Sequence, residues 1–349
     1  MSVPRLHIGH HFFGSGNVGD DLMLAGFLDA VGPGAELTCC SACDIDSQRR
    51  RFPQVRWLPY TMEARAAAVQ ACHAWVGVGD TPFQLSVGPW FLEHLRGELE
   101  LCRRHGKRMF FIGVGVGDVE ALRDERAAEV LGYASRVWSR DEWSAGAIRA
   151  SGACDPQTVA AGADLAHAYL HRHRFGPVEP DVIGYVLNFE DRRQFDARAL
   201  CEVVRENRHL RQRWLAQEVR PLAGSETELF NGLPPGNLCR GLLEWRCPDY
   251  PSAASADLLA SWGVPSRIVS SRYHAALVGA WMRARVVAVE RSAKVTGLVS
   301  ELKILGLPAL HDASALRAAL AAAVPVPADL LHALADRAVA GCAELLRAV

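Results

Sequence analysis

Arg272 and His274 stand two residues apart just after the β-branched pair Ile268-Val269, where a stretch with helical periodicity begins. Arginine offers a two-pronged cation for phosphate or carboxylate. Histidine, with an ordinary pKa near 6.5, can carry a proton or a charge at neutral pH. Lys294 opens the next helical stretch, after a strand expected over 286–290, and could complete an anion pocket with them. Near the other end of the chain, Gly14-Ser-Gly-Asn-Val-Gly-Asp-Asp21 follows a strand expected over 6–10. Asn17 and Gly19 would shape that turn, and Asp20 and Asp21 are either a base or helix N-caps. Gly113, Gly115 and Gly117 lie where a strand over 109–114 ends, and they could admit a phosphate or simply turn the chain. The fuller dinucleotide fingerprint is missing there. Cys40-Ser-Ala-Cys43 has the spacing of half a zinc site, but no second Cys or His pair follows, so no metal site is expected. The ten cysteines are scattered among apolar neighbours and read as buried free thiols.

The elements that must position these residues alternate along the chain. Apolar strand candidates at 6–10, 36–40, 74–78, 109–114, 136–139 and 158–161 are separated by helical periodicity, for instance at 21–31, 89–104 and 141–150. After residues 171–181, where two prolines interrupt the pattern, strands are expected at 182–187, 214–219, 242–246, 267–270 and 286–290. Helices are expected within 195–208 and at 255–262, 273–282, 295–305, 314–323 and 328–348. Such alternation predicts an α/β protein with two doubly wound, Rossmann-like domains (a GT-B-like plan) facing across a cleft, plus C-terminal helices. The expected boundaries are an acceptor-side domain at 1–170, a linker at 171–181 and a donor domain at 182–349. Strands that end in cations or glycine-rich backbone and then start helices place those groups where open α/β sheets bind ligands.

Composition narrows the function classes. At 349 residues the chain is long for one core. A formal net charge of −1 with interspersed signs excludes nucleic acid as the main partner. No run of 18 apolar residues and no basic-then-apolar N-terminus occurs, so a cytoplasmic protein is expected, without a spanning segment.

Four segments in order resemble the polysaccharide pyruvyl transferase family. They are Gly14 to Asp21, Ile112-Gly-Val-Gly-Val-Gly117, Ser139-Arg-Asp-Glu-Trp-Ser144, and Ser271-Arg-Tyr-His-Ala-Ala276 with Lys294. The resemblance implies transfer of the enolpyruvyl unit of phosphoenolpyruvate to two hydroxyls of a sugar, with release of phosphate and formation of a pyruvate ketal. It implies phosphoenolpyruvate as donor, a sugar or lipid-linked saccharide as acceptor, peripheral contact with a membrane face, and no cofactor. Such chemistry needs cations for the donor, an acid for the vinyl carbon and a base for the incoming hydroxyl. On this reading Arg272, His274 and Lys294 hold the donor, Arg140 joins them across the cleft, and His274, Asp20 and Arg140 are catalytic, with either His274 or Asp20 as the acid and the other as the base, while Asn17, Gly19, Asp21 and Gly115 line the substrate. One departure is Gly77-Val-Gly-Asp-Thr-Pro-Phe-Gln84, where Asp80 and Pro82 stand in place of the family's flexible glycine run and imply a differently shaped acceptor pocket. Trp90, Trp143 and Tyr273 could stack on sugar faces, core packing being the commoner use of such residues. Two other readings share the fold. One is a GT-B-type glycosyltransferase whose nucleotide sugar has its ribose on Glu290 and its diphosphate on Arg272 and Lys294. The other is a sugar-binding relative without catalysis.

Overall fold

Each short apolar run is too small to bury itself and must pair with another, and the helical stretch that follows returns the chain to the same edge, so consecutive strands run parallel. In the computed structural model, which describes residues 3–86, 88–189, 191–218, 220, 222–248 and 259–349, the result is two parallel sheets. The first contains β1 (Arg5–Ile8), β2 (Glu36–Ser41), β3 (Val55–Pro59), β4 (Ala74–Val78), β5 (Arg108–Val114), β6 (Arg136–Ser139) and β7 (Val159–Ala161), in the order β3-β2-β1-β4-β5-β6-β7. The second contains β8 (Glu179–Val186), β9 (Arg211–Leu215), β10 (Glu244–Arg246), β11 (Pro265–Ser270), β12 (Arg285–Val289) and β13 (Leu305–Leu307), in the order β10-β9-β8-β11-β12-β13. Both repeat the doubly wound order, in which the winding reverses between β1 and β4 in one sheet and between β8 and β11 in the other.

Burial explains the central strands. All five residues of β4, Ala-Trp-Val-Gly-Val, are buried, as parallel strands covered on both faces require. In the second sheet Ile268 of β11 stands between Gly184 of β8 and Val286 of β12. The helix Trp90–His105 buries Phe91, Leu92, Leu95 and Leu99 on one face and ends where Gly106 turns left-handed, at φ 60°.

The residues divide by mutual contact into one unit of 1–15, 20–172 and 332–349 and a second of 16–19 and 173–331. The second therefore includes the turn Gly16–Gly19: Val18 N–H donates to Gln217 O (3.0 Å), and Asn17 Oδ1 accepts from Gln217 Nε2 (3.0 Å).

Several elements differ from expectation. β3 escaped prediction because Arg56 and Pro59 interrupt its apolar run, as a strand at the sheet's edge tolerates. The strand expected at 214–219 lies at Arg211–Leu215, where Arg213 is buried in an ion pair with Glu179. β13, Leu-Gly-Leu, was read as the end of a helix that in fact closes at Leu302 with Lys303 left-handed. Residues 255–258 of the helix expected at 255–262 lie outside the described residues.

Candidate functional site

At the carboxyl edge of the second sheet, the loops after β8 and β11 are locked together at the point where the winding reverses. Ser271 Oγ donates to Asn188 O (2.8 Å) and accepts from Asn188 N–H (2.7 Å), and both residues are buried. The next residue, Arg272, occupies the N-cap position of the helix Tyr273–Trp281. Its guanidinium forks onto the fully buried carboxylate of Glu226, Nε to Oε1 at 2.8 Å and Nη2 to Oε2 at 3.0 Å. Its charge is thereby matched within the fold. His274 is buried in the first turn, with its ring edge-on to Tyr273 at 5.1 Å. The imidazole lies so close over Gly19 that a Cβ there would collide with it. That close approach is why the turn carries glycine.

The neighbouring strand provides a second helix start. Glu290, just past β12, donates its N–H to Leu307 O (2.7 Å), and its carboxylate lies over Gly306. Arg291 Nε donates to Ser271 O (3.0 Å). Ser292 stands at the N-cap of the helix Ala293–Leu302 without making a side-chain cap bond, and its buried Oγ has no hydrogen-bond partner among the described residues. Lys294 is half-buried in the first turn of that helix. Two helix N-termini thus emerge side by side from adjacent parallel strands, bringing their positive dipole ends and cationic side chains to one edge.

In the first unit the loop after β1 is built around Asp21. This fully buried carboxylate accepts from Gly14 N–H (2.7 Å) and is ion-paired with the buried Arg51, while Gln48 of the same short helix, Ile45–Arg51, donates to Phe13 O. Asp21 therefore acts as a latch on the glycine turn. Asp20, 8 % exposed, lies beside it in the first turn of the helix Val18–Val31. Arg140 is buried at the end of β6, its N–H on Val114 O (2.8 Å) and its Nε 3.3 Å from Asp141, with its guanidinium pressed against Gly115 where a Cβ would clash. Asp141 caps the helix Glu142–Ser151 through Ser144 N–H (2.6 Å). Asp80 adopts a left-handed backbone, φ 66°, and its Oδ1 accepts from Thr81 N–H (2.6 Å). Of the three aromatics singled out in the sequence, Tyr273 is buried, whereas Trp90 and Trp143 are 42 % and 37 % exposed.

A group of rings that sequence reasoning passed over lies at the same edge. His10 and His11, directly after β1, meet Tyr60, His94, Trp90 and Phe91. Burial holds His10 and His11 down to about 3 and His94 down to about 4, so all three are neutral at pH 7. The signal was present: a His-His pair where a strand leaves the sheet, and a histidine on the buried face of an amphipathic helix.

Among the described residues no group of three or more His, Cys, Asp or Glu side chains is arranged to hold a metal ion, and no helix is long and apolar enough to cross a membrane. No protein-family model matches the chain, and no curated protein matches it by sequence. Solved structures do. Anabaena HepE in complex with UDP-glucose superposes at a TM-score of 0.64, with 9% identity, over 99% of this chain and 100% of its own. A putative UDP-N-acetylglucosamine 2-epimerase from Listeria monocytogenes gives 0.61 with 12% identity, over 100% of this chain and 96% of its own. UDP-GlcNAc 2-epimerase from Methanocaldococcus jannaschii gives 0.59 with 9% identity, over 91% of each chain. The fold is the two-domain GT-B-like α/β fold.

These findings correct the resemblance to polysaccharide pyruvyl transferases, and with it enolpyruvyl transfer, phosphoenolpyruvate as the donor and the ketal product. No family model supports the resemblance, and the structures that share the fold over nine-tenths or more of the chain include one crystallised with UDP-glucose, a putative UDP-N-acetylglucosamine 2-epimerase and a UDP-GlcNAc 2-epimerase. The physical reason is legible in the motifs. Asp21 is a latch, Asp141 a cap, Gly115 and Gly19 are close approaches, and Arg272 is satisfied by Glu226. Much of what the four motifs share is what a doubly wound fold demands of its turns.

Proposed function

We propose that the protein is a nucleotide-sugar-dependent enzyme of the GT-B glycosyltransferase type, with the nucleoside diphosphate bound at the carboxyl edge of the second sheet. The observation that carries this reading is the pair of adjacent helix starts after β11 and β12, one of which leaves the buried Ser292 Oγ without a partner among the described residues, two positions before Lys294. A diphosphate held at these two N-termini lies in their positive dipole field and pairs with Lys294. Glu290, at the end of β12, accepts from the ribose hydroxyls. Arg272 orients the first helix start through Glu226 rather than neutralising phosphate alone. His274, two residues into that start, acts on the bond at the anomeric carbon, as proton carrier or as partner of the leaving oxygen. The structural likeness to a protein crystallised with UDP-glucose and to UDP-sugar epimerases supports the same ligand class.

Thermal unfolding in the presence of UDP, UDP-glucose and UDP-N-acetylglucosamine tests the reading. A ligand at one hundred times its Kd raises stability by about 2.7 kcal/mol. Stabilisation by UDP compounds that weakens about tenfold in affinity in Lys294→Ala is expected. No stabilisation by any nucleoside diphosphate sinks the proposal, and incubation of the sugar nucleotides alone followed by product analysis separates transfer from epimerisation.

A further inference from the structure

The rings at the edge of the first sheet form a second place where a ligand is called for. His94 Nε2 lies 2.8 Å from Gly9 O, and a carbonyl can only accept, so that nitrogen carries the proton. Its Nδ1 is then bare and accepts from Tyr60 O–H at 2.9 Å. By the same logic His10 Nδ1, 3.0 Å from Val78 O, is protonated, and its buried Nε2 is a bare acceptor with no partner among the described residues. His11 Nδ1 is likewise buried and unpartnered. Its ring stacks on Tyr60 at 4.1 Å and 21°, and stands edge-on to Trp90 at 6.3 Å. Trp90 rests one face on Phe91 at 4.8 Å and 6°, and with 42 % of its surface in solvent it is the exposed member of the group.

We propose that this cluster is a binding platform for a neutral sugar ring, which stacks on Trp90 and places a hydroxyl at the unpartnered nitrogen of His11. The ligand class follows from the chemistry of the lining. Flat aromatic surface favours the C–H face of a pyranose. A hydroxyl both donates and accepts, so it satisfies an imidazole nitrogen in either tautomer. Arg65, over the Tyr60 ring at 4.9 Å, is already paired with Glu98, and the imidazoles are uncharged, so a carboxylate or phosphate meets no unmatched counter-charge, which selects against acidic sugars. They are also too weakly basic at neutral pH to act as general bases, so the platform positions a hydroxyl without deprotonating it. The platform lies within the first unit.

Calorimetric titration of the full chain with methyl glucoside, N-acetylglucosamine and cellobiose, with glucuronate as the acidic comparison, tests it. Saturable binding of at least one neutral sugar is expected. Affinity should fall about tenfold in Trp90→Ala and in His11→Ala, while Trp143→Ala, an exposed tryptophan elsewhere in the unit, retains it. Trp90 is a surface residue, so its variant folds even if a histidine variant does not. The proposal is overturned if no neutral sugar saturates, if glucuronate binds more tightly than the neutral sugars, or if Trp90→Ala binds as the parent does. A parallel titration with UDP keeps the two sites distinguishable, because UDP binding without any sugar binding overturns the platform and leaves the nucleotide reading standing.

Discussion

The two sheets share one strand order and end in different chemistry. Beyond the switch point of the second sheet stand helix starts with Lys294, Arg291 and an uncapped Ser292; beyond that of the first stand neutral imidazoles, aromatic rings and an internally satisfied Asp21. The order 3-2-1-4-5-6 fixes where a ligand can sit, and the few residues after each strand decide what it is. On the two proposals made above, one edge takes an anion and the other a neutral polyol.

The edges also share a device, a buried carboxylate–arginine pair behind the loops: Asp21 with Arg51 in the first unit, Glu226 with Arg272 in the second. Removing one partner leaves an uncompensated buried charge. Arg51→Ala and Arg272→Ala should each lower stability in urea unfolding by about 3–5 kcal/mol, and Arg272→Ala/Glu226→Ala should recover part of the loss. Costs below about 1 kcal/mol would show that the pairs are no part of the latching.

The next largest contrast is in pH. His10 and His94 are held neutral in the first unit by burial, with repulsion added by neighbouring imidazoles at His10 and by Arg65 at His94, while unfolding returns them to about 6.5. Below that value the unfolded chain binds protons that the native one refuses, so stability falls as pH falls, from about 6.5 down toward the folded values near 3 and 4. Each imidazole contributes a slope of about 1.4 kcal/mol per pH unit in that window, and His10→Phe should flatten the curve by one such slope. An unchanged profile in that variant would mean that the ring is protonated in the fold. Lys294→Ala comes third: about tenfold weaker UDP binding with an unaltered melting temperature marks a ligand contact, whereas a lower melting temperature marks a structural one.

How much of this was legible beforehand depended on the kind of residue. Buried central strands such as 74–78 announced themselves by unbroken apolar runs, and Asp141 by its place before a helical stretch. Edge strands did not: β3 carries Arg56 and β13 spans only Leu-Gly-Leu. The candidate groups Arg272, His274, Lys294, Glu290 and Asp20 were found because they stand where a strand gives way to a helix. What the sequence could not show was pairing at a distance, since Glu226 lies 46 residues before Arg272 and Arg51 lies 30 after Asp21. That is why shared turn chemistry could pass for a shared reaction.

The smallest effect separates the two edges most sharply. At the first, Asp141 caps its helix by accepting Ser144 N–H at 2.6 Å, and Asp141→Ala should cost about 1 kcal/mol whatever ligand is present. At the second, Ser292 holds the same position and makes no such bond, so its hydroxyl adds no capping to the fold. Ser292→Ala should leave the unfolding free energy within about 0.5 kcal/mol of the parent, because no cap is lost. With UDP present the two should part: the Asp141 variant keeps the full ligand-induced rise, and the Ser292 variant loses some of it, since a phosphate oxygen would be the partner its hydroxyl lacks. If instead Ser292→Ala destabilises the unliganded protein as much as Asp141→Ala does, the second helix start is capped in solution, and the distinction drawn between an occupied and a waiting N-terminus fails.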